Sequence, residues 1–237
     1  MNIKVIFDKS ALNNDFRTGW GLSFLVDDRV LFDTGEKGEW LLQNLSALGV
    51  GIDKIEAVVI SHDHWDHWGG LWELLKHKKG MPVYICPNFS REFKDRAGKL
   101  GARLIEIERS AQIIPDVFST GEIAGAYHGK CMAEQAALLK TKNGLTVITG
   151  CAHPGILKMA GKVKIKFPNE QVYFVLGGFH LVELDKRAIE IIAEEFKKMG
   201  IKKCGPTHCS GEAAEGIFKE YYGEDFVSIK AGQEIEV

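Results

Sequence analysis

Four apolar residues, Ala57 to Ile60, run straight into Ser61-His62-Asp63-His64-Trp65-Asp66-His67-Trp68-Gly69-Gly70. A short continuous apolar run suits a buried strand. The stretch after it holds three histidines and two aspartates in six consecutive positions. Such groups cannot stay inside the strand's apolar surroundings without partners. The chain must therefore bring them out at the strand's end and turn at Gly69-Gly70 into a helix.

The rest of the chain alternates short apolar runs with longer helical patterns, which predicts an α/β (α+β) architecture. Strands are expected at Ile3 to Phe7, Leu22 to Val26, Arg29 to Phe32, Val83 to Cys86 and Arg103 to Ile107. Helices are expected at about Gly38 to Leu48, Gly70 to His77 and Phe89 to Gly98. The second half repeats this style. Strands are expected at Ala136 to Lys140, Leu145 to Thr149, Gln171 to Leu176, Lys202 to Pro206 and Phe226 to Ile229, with Asn143-Gly144 as a hairpin turn. A short helix is expected over Pro154 to Ala160 and another near Glu212 to Tyr222. Asp185 to Met199 gives the clearest helix, with Asp185 as cap, Ile189, Ile192, Phe196 and Met199 as its buried stripe, and Gly200 as its end. No linker or fixed-period repeat divides the 237 residues, so residues 1–237 are expected to form one domain of two similar halves.

Polar clusters recur where strands end: Asp33 after Phe32, His62 after Ile60, Cys151 and His153 after Thr149, His180 after Leu176, and His208 after Pro206. In layered α/β folds, ligands gather beyond strand ends. Residues i and i+2 of an extended segment point the same way, so His62 and His64 can reach one metal together. Asp66 and His67 can then address a second metal. Imidazole and carboxylate suit zinc, and also manganese or iron. Local residues cannot complete two coordination shells, and His153 and His208 are placed to supply the missing ligands.

The pattern His62-x-His64-x-Asp66-His67, after a strand and before Gly-Gly, resembles the signature of the metallo-β-lactamase superfamily. Phe32-Asp33-Thr34-Gly35 stands where that superfamily has an upstream aspartate. The resemblance implies a four-layer αββα sandwich and two divalent metals, zinc first and iron, manganese or magnesium as alternatives. Three later stretches narrow the likeness: Thr149-Gly150-Cys151-Ala152-His153-Pro154-Gly155, Gly177-Gly178-Phe179-His180-Leu181 and Pro206-Thr207-His208-Cys209-Ser210-Gly211. They are similar to the branch that includes the archaeal dihydropterin ribofuranosyl-aminobenzene phosphate synthase and many metal-dependent hydrolases. Where many relatives carry a metal-bridging aspartate, this chain has Cys151. The expectation is that His62, His64 and His153 hold one metal, and Asp66, His67 and His208 hold a second, weaker one. Asp33 and Cys151 then sit beside the ligands and orient them, with thiolate ligation by Cys151 as the competing role. Asp66 also steers or accepts a proton. His180 is a candidate general acid, phosphate holder or metal ligand, against a purely structural role.

What these readings imply is a metal-dependent hydrolase or related transferase in which metal acidifies water, acting on a small, phosphorylated or pterin-like substrate. Two alternatives stand beside it: a mono- or di-iron redox enzyme, and a non-catalytic metal-bearing protein. The charge balance, 30 basic against 32 acidic residues, gives no general attraction to nucleic acid or anionic membrane. No apolar run approaches the ~20 residues of a membrane span. Five cysteines without a C-x-x-C pair favour a reducing cytoplasm over disulfide stapling.

Overall fold

A computed structural model describes residues 1–237. The chain divides into two compact units, Met1–Arg109 with Ile229–Val237, and Ser110–Ser228. No helix is long and apolar enough to cross a membrane.

In the first unit the strands are β1 (Asn2–Phe7), β2 (Ser23–Val26), β3 (Val30–Phe32), β4 (Ala57–Val59), β5 (Pro82–Ile85) and β6 (Arg103–Glu106). The helices are α1 (Gly38–Ala47), α2 (Trp65–Trp68), α3 (Leu71–His77) and α4 (Arg91–Lys99). A C-terminal strand, Glu234–Glu236, pairs antiparallel with β1, and the sheet continues in order from β1 to β6. The β2–β3 turn places Asp27 and Asp28 at φ 48° and 57°, the left-handed pair that matches the twist of a tight hairpin. From β3 to β6 all neighbours are parallel. Leu25, Leu31, Val58 and Val83 of the sheet share one core with Leu41 and Leu45 of α1, Leu71 and Leu75 of α3, and Phe93 of α4.

The second unit holds β7 (Ala111–Ile114), β8 (Val117–Ser119), β9 (Ala126–Tyr127), β10 (Lys130–Cys131), β11 (Ala137–Thr141), β12 (Gly144–Thr149), β13 (Val172–Gly178) and β14 (Lys203–Thr207). Its helices are α5 (Ile156–Lys166), α6 (Lys186–Lys198) and α7 (Glu212–Tyr222). The sheet order is β14-β13-β12-β11-β8-β7, with β9 and β10 as a separate ribbon. Strands β12, β13 and β14 are mutually parallel. Asp185 caps α6 by accepting the Ala188 N–H at 2.8 Å, and Ile189 and Phe196 are buried as the periodicity predicts. Phe179, Phe196 and Phe218 meet with ring centroids 5.5–5.6 Å apart, which ties α6, α7 and the end of β13 into one apolar cluster.

Several expectations need correction. Thr141 pairs with Gly144, so the turn residues are Lys142 and Asn143. Gly144 is a strand residue at φ 121°, and a Cβ there would lie 2.5 Å from the Gln171 carbonyl oxygen; close backbone approach, not the turn, requires the glycine. Helix α5 starts two residues after Pro154 and runs to Lys166, because Met159, Ala160 and Val163 continue the buried stripe. Phe226 to Ile229 makes only a single bridge, Phe226 to Cys204. Strands β7 to β10 and the C-terminal strand are not foreseen by the sequence pattern. They are two to four residues long, and none of them stands out as a continuous apolar run like Ala57 to Ile60.

Candidate metal centre

In the first unit, Phe32 of β3 sits beside Val59 of parallel β4, so Asp33 and Ser61 leave the sheet at the same edge. Asp33 is fully buried. Its Oδ1 accepts the Ser61 N–H at 2.7 Å, and its Oδ2 accepts the Ser61 hydroxyl at 2.8 Å and the His67 Nδ1 proton at 2.7 Å. Ser61 spends its one proton on Asp33. Its oxygen, 2.9 Å from His62 Nδ1, therefore accepts from that ring. Both His62 and His67 are thus set with Nδ1 protonated and Nε2 turned to the cluster. His62 Nε2 lies 3.0 Å from His64 Nδ1, and His67 Nε2 lies 3.4 Å from Asp66 Oδ2.

These spacings fit a metal. Ligands at ~2.0–2.1 Å from a tetrahedral zinc are themselves about 3.3 Å apart. Burial alone would push the His67 imidazole down, but the charges of Asp66 and Asp33 and their hydrogen bonds outweigh it and hold the ring well above the usual histidine range. A position that stabilises a proton on His67 stabilises a cation there for the same electrostatic reason. Asp63, inside the same run, plays a different part. It accepts the Trp68 indole N–H at 3.0 Å and the Ser90 N–H at 2.7 Å. Trp72 packs into the core against Trp68 and Phe93, whereas Trp65 is exposed.

In the second unit the three parallel strands deliver their ends to one edge. Thr149 pairs with Gly177 and Gly178 with Thr207. Gly150 to His153, His180, and His208 with Cys209 follow at once. Donor atoms of Cys151, His153 and His180 all lie within 4.8 Å of one another, as do those of Cys151, His208 and Cys209. The rings of His153 and His180 are 4.5 Å apart, and Tyr127 of β9 packs on both, at 4.7 and 5.3 Å. This crowding needs Gly178. A Cβ there would lie 2.8 Å from Cys209 Sγ and closer still to the Gly150 carbonyl oxygen.

Two thiols enlarge the donor chemistry of this edge beyond what the histidines alone offer. Burial raises the Cys209 thiol, yet its hydrogen bond with Cys151 and the charges of His208 and His180 bring it well below the usual thiol range. His180 is held above the usual histidine value, first by its hydrogen bond with Cys209 and against the opposing effect of burial. Imidazole and thiolate together suit zinc or iron.

The strand exits are strained. Asp33, Ala152, His180 and His208 take φ of 56°, 60°, 51° and 53°, the left-handed region that costs a non-glycine residue on the order of 1 kcal/mol. Each directly follows, or lies within three residues of, a strand end. Strain of this kind persists only where surrounding contacts over-determine it.

Three residues here lie beyond what the sequence pattern reveals. Glu134 is fully buried; its Oε1 accepts the N–H groups of Gly150, Cys151 and Ala152 at 3.1, 2.9 and 2.8 Å, and its Oε2 accepts that of His153 at 2.9 Å. Its only trace in the sequence is one acidic residue among the small residues that lead into β11. Cys209 flanks His208 together with Cys204 at a spacing that fits no structural zinc pattern and so reads as a buried thiol, which it is; its approach to Cys151 and His208 is what the pattern does not reveal. Tyr127 sits on a strand of two residues, which no periodicity can reveal.

Comparison with known proteins places the chain. The sequence model of the metallo-beta-lactamase superfamily matches residues 21–150. The 7,8-dihydropterin-6-methyl-4-(beta-D-ribofuranosyl)-aminobenzene-5'-phosphate synthase of Methanocaldococcus jannaschii is 31% identical, over 99% of this chain and 97% of its own. Among solved structures, Tm1679, a metal-dependent hydrolase of the beta-lactamase superfamily, is 32% identical with a TM-score of 0.84, covering 100% of this chain and 99% of the other. Human tRNase Z, short form, shares the fold at 17% identity, with a TM-score of 0.63 and coverage of 100% and 99%.

Proposed function

The chain belongs to the metallo-β-lactamase superfamily, and from that premise we propose that it is a metal-dependent enzyme acting on a small phosphate-bearing, pterin-like substrate, as a hydrolase or a related transferase. In this reading the chain carries a dinuclear centre. His62, His64 and His153 hold one zinc; Asp66, His67 and His208 hold the other. The metals, when bound, supply an acidified water and a place for oxyanion charge. Asp33 orients His67 and, through Ser61, His62. Asp66 steers a proton. His180, held toward its protonated form beside Cys209, binds a substrate phosphate oxygen or protonates the leaving group.

The observation that supports metal chemistry most directly is the shared orientation of His62 and His67, both turned Nε2-first into the cluster by one buried carboxylate. A carboxylate behind a ligating imidazole is the usual means of fixing its tautomer. The substrate class rests on the full-length likeness to a phosphate synthase with dihydropterin and aminobenzene in its name. Cys151 beside both second-unit donor groups makes the second site softer and the weaker of the two.

The test is metal-loaded protein assayed on phosphodiesters, lactones and a pterin diphosphate with an aminobenzene acceptor. Turnover is expected on a phosphate-bearing member and is lost on chelation and in His62→Ala. Turnover that survives both removes the metal from the mechanism. Iron at full occupancy with oxygen uptake would instead establish the redox alternative.

A further inference from the structure

The loop Gly150 to His153 carries two metal-capable side chains, yet it is neither helix nor strand. Four successive N–H groups in such a loop would ordinarily turn to water or to separate partners. Here all four converge on Glu134, at 2.8–3.1 Å. Consecutive amides that point at one spot form an anion-binding concavity, and the protein fills this one with its own carboxylate. The carboxylate is itself fixed. Glu134 and Ile123 exchange both backbone hydrogen bonds, at 2.9 and 3.0 Å, and Gly125, two residues beyond Ile123, runs so close to Pro154 that a Cβ would sit 2.7 Å from its nitrogen. The far side of the loop is also tied, by Gly178 N–H to the Gly150 carbonyl at 3.1 Å and by the Thr149 hydroxyl to the Gly178 carbonyl at 2.8 Å.

We propose that Glu134 is a positioning residue of the metal centre: it sets the backbone of residues 150–153, including left-handed Ala152, so that Cys151 and His153 are presented in fixed directions before any metal binds. The inference rests on the reading of His153 as a metal ligand. It deepens that reading by naming what holds the ligand. The physical reason is pre-organisation. His153 hangs from a loop, and a loop left free would have to be ordered at the moment of binding, at a cost in metal affinity. The left-handed Ala152 makes the need acute, since it separates Cys151 from His153 and would relax without the four hydrogen bonds.

Two measurements test this. The first uses wild-type protein, metal-free and zinc-loaded, with amide hydrogen exchange read residue by residue. The amides of Cys151, Ala152 and His153 are expected to be protected in the metal-free protein to within about tenfold of the loaded one. Exchange at the rate of an open loop until zinc is added would overturn the proposal. The second compares wild type with Glu134→Gln, which keeps the shape but turns a donor toward the His153 N–H. The cobalt(II) affinity, measured by competition with a chromophoric chelator, is expected to fall about tenfold, with a changed cobalt absorption envelope. A folded Glu134→Gln with wild-type affinity and spectrum would refute it. The exchange experiment decides the matter if the glutamine variant does not accumulate. Wild-type protein that binds neither zinc nor cobalt sinks the metal reading itself, an outcome distinct from both of these.

Discussion

The two donor-bearing regions solve one problem in different ways. In each, parallel strands end at a common edge and a fully buried carboxylate stands behind the donors. Asp33 works through side chains: it accepts hydrogen bonds from the His67 ring and the Ser61 hydroxyl, and adds a single backbone amide. Glu134 works through the backbone, accepting four successive amides of the loop it serves. The difference follows from how the donors are strung. His62 to His67 lie on one continuous segment that enters the short helix α2, so the backbone is already fixed and only ring orientation remains to be set. Cys151, His153, His180 and His208 come from three separate strand exits, where the backbone itself has to be held.

That contrast can be broken by substitution. The largest effect is expected from His62→Ala, which removes a proposed ligand; bound metal, counted by mass spectrometry of the native protein, should fall with an affinity loss above about 100-fold. Retained stoichiometry would remove His62 from the centre. Asp33→Asn comes next. It turns a donor toward Ser61 or His67, so metal affinity should drop about 10–100-fold, more than in Glu134→Gln, because Asp33 touches a proposed ligand ring directly. If the glutamine variant at 134 proves the weaker binder, backbone placement outranks ring orientation and the comparison reverses. Gly178→Ala should destabilise the protein by about 2 kcal/mol in urea unfolding, through overpacking against Cys209 and the Gly150 carbonyl; an unchanged midpoint would mean the three strand exits are looser than drawn. The smallest effect belongs to Ser61→Ala. It loses two hydrogen bonds, about 1 kcal/mol of stability, and frees the His62 tautomer, a change visible as altered imidazole nitrogen shifts in NMR.

Much of this is legible in order along the chain. The pattern gives helix α7 the bounds it has and α6 its cap and stripe, because each helix carries several turns of consistent patterning, and it gives β1 to β6 their places to within about two residues, because each coincides with a short apolar run. The donor run at His62 to His67 is legible because all its members are neighbours in sequence. Asp33 is legible as an orienting residue only through the family resemblance. Glu134 and Tyr127 are not, since a solitary acid or aromatic residue reads the same whether it faces water or a site, and Cys209 reads only as a buried thiol. Gly144 misleads for a related reason: Asn-Gly signals a turn locally, but here the glycine answers to Gln171 on a neighbouring segment.

What the sequence determined by itself was a set of local facts: where the helices and the longer apolar strands lie, that donor side chains stand at the strand ends, and that histidine and aspartate are spaced for metal along one segment. Those facts depend on residues within a few positions of each other, where covalent geometry fixes distance. Tertiary structure alone decided that one buried carboxylate turns both His62 and His67, that four loop amides share Glu134, and that the ends of β12, β13 and β14 lie side by side. Each of these joins residues 16 to 58 positions apart, where only packing sets the distance.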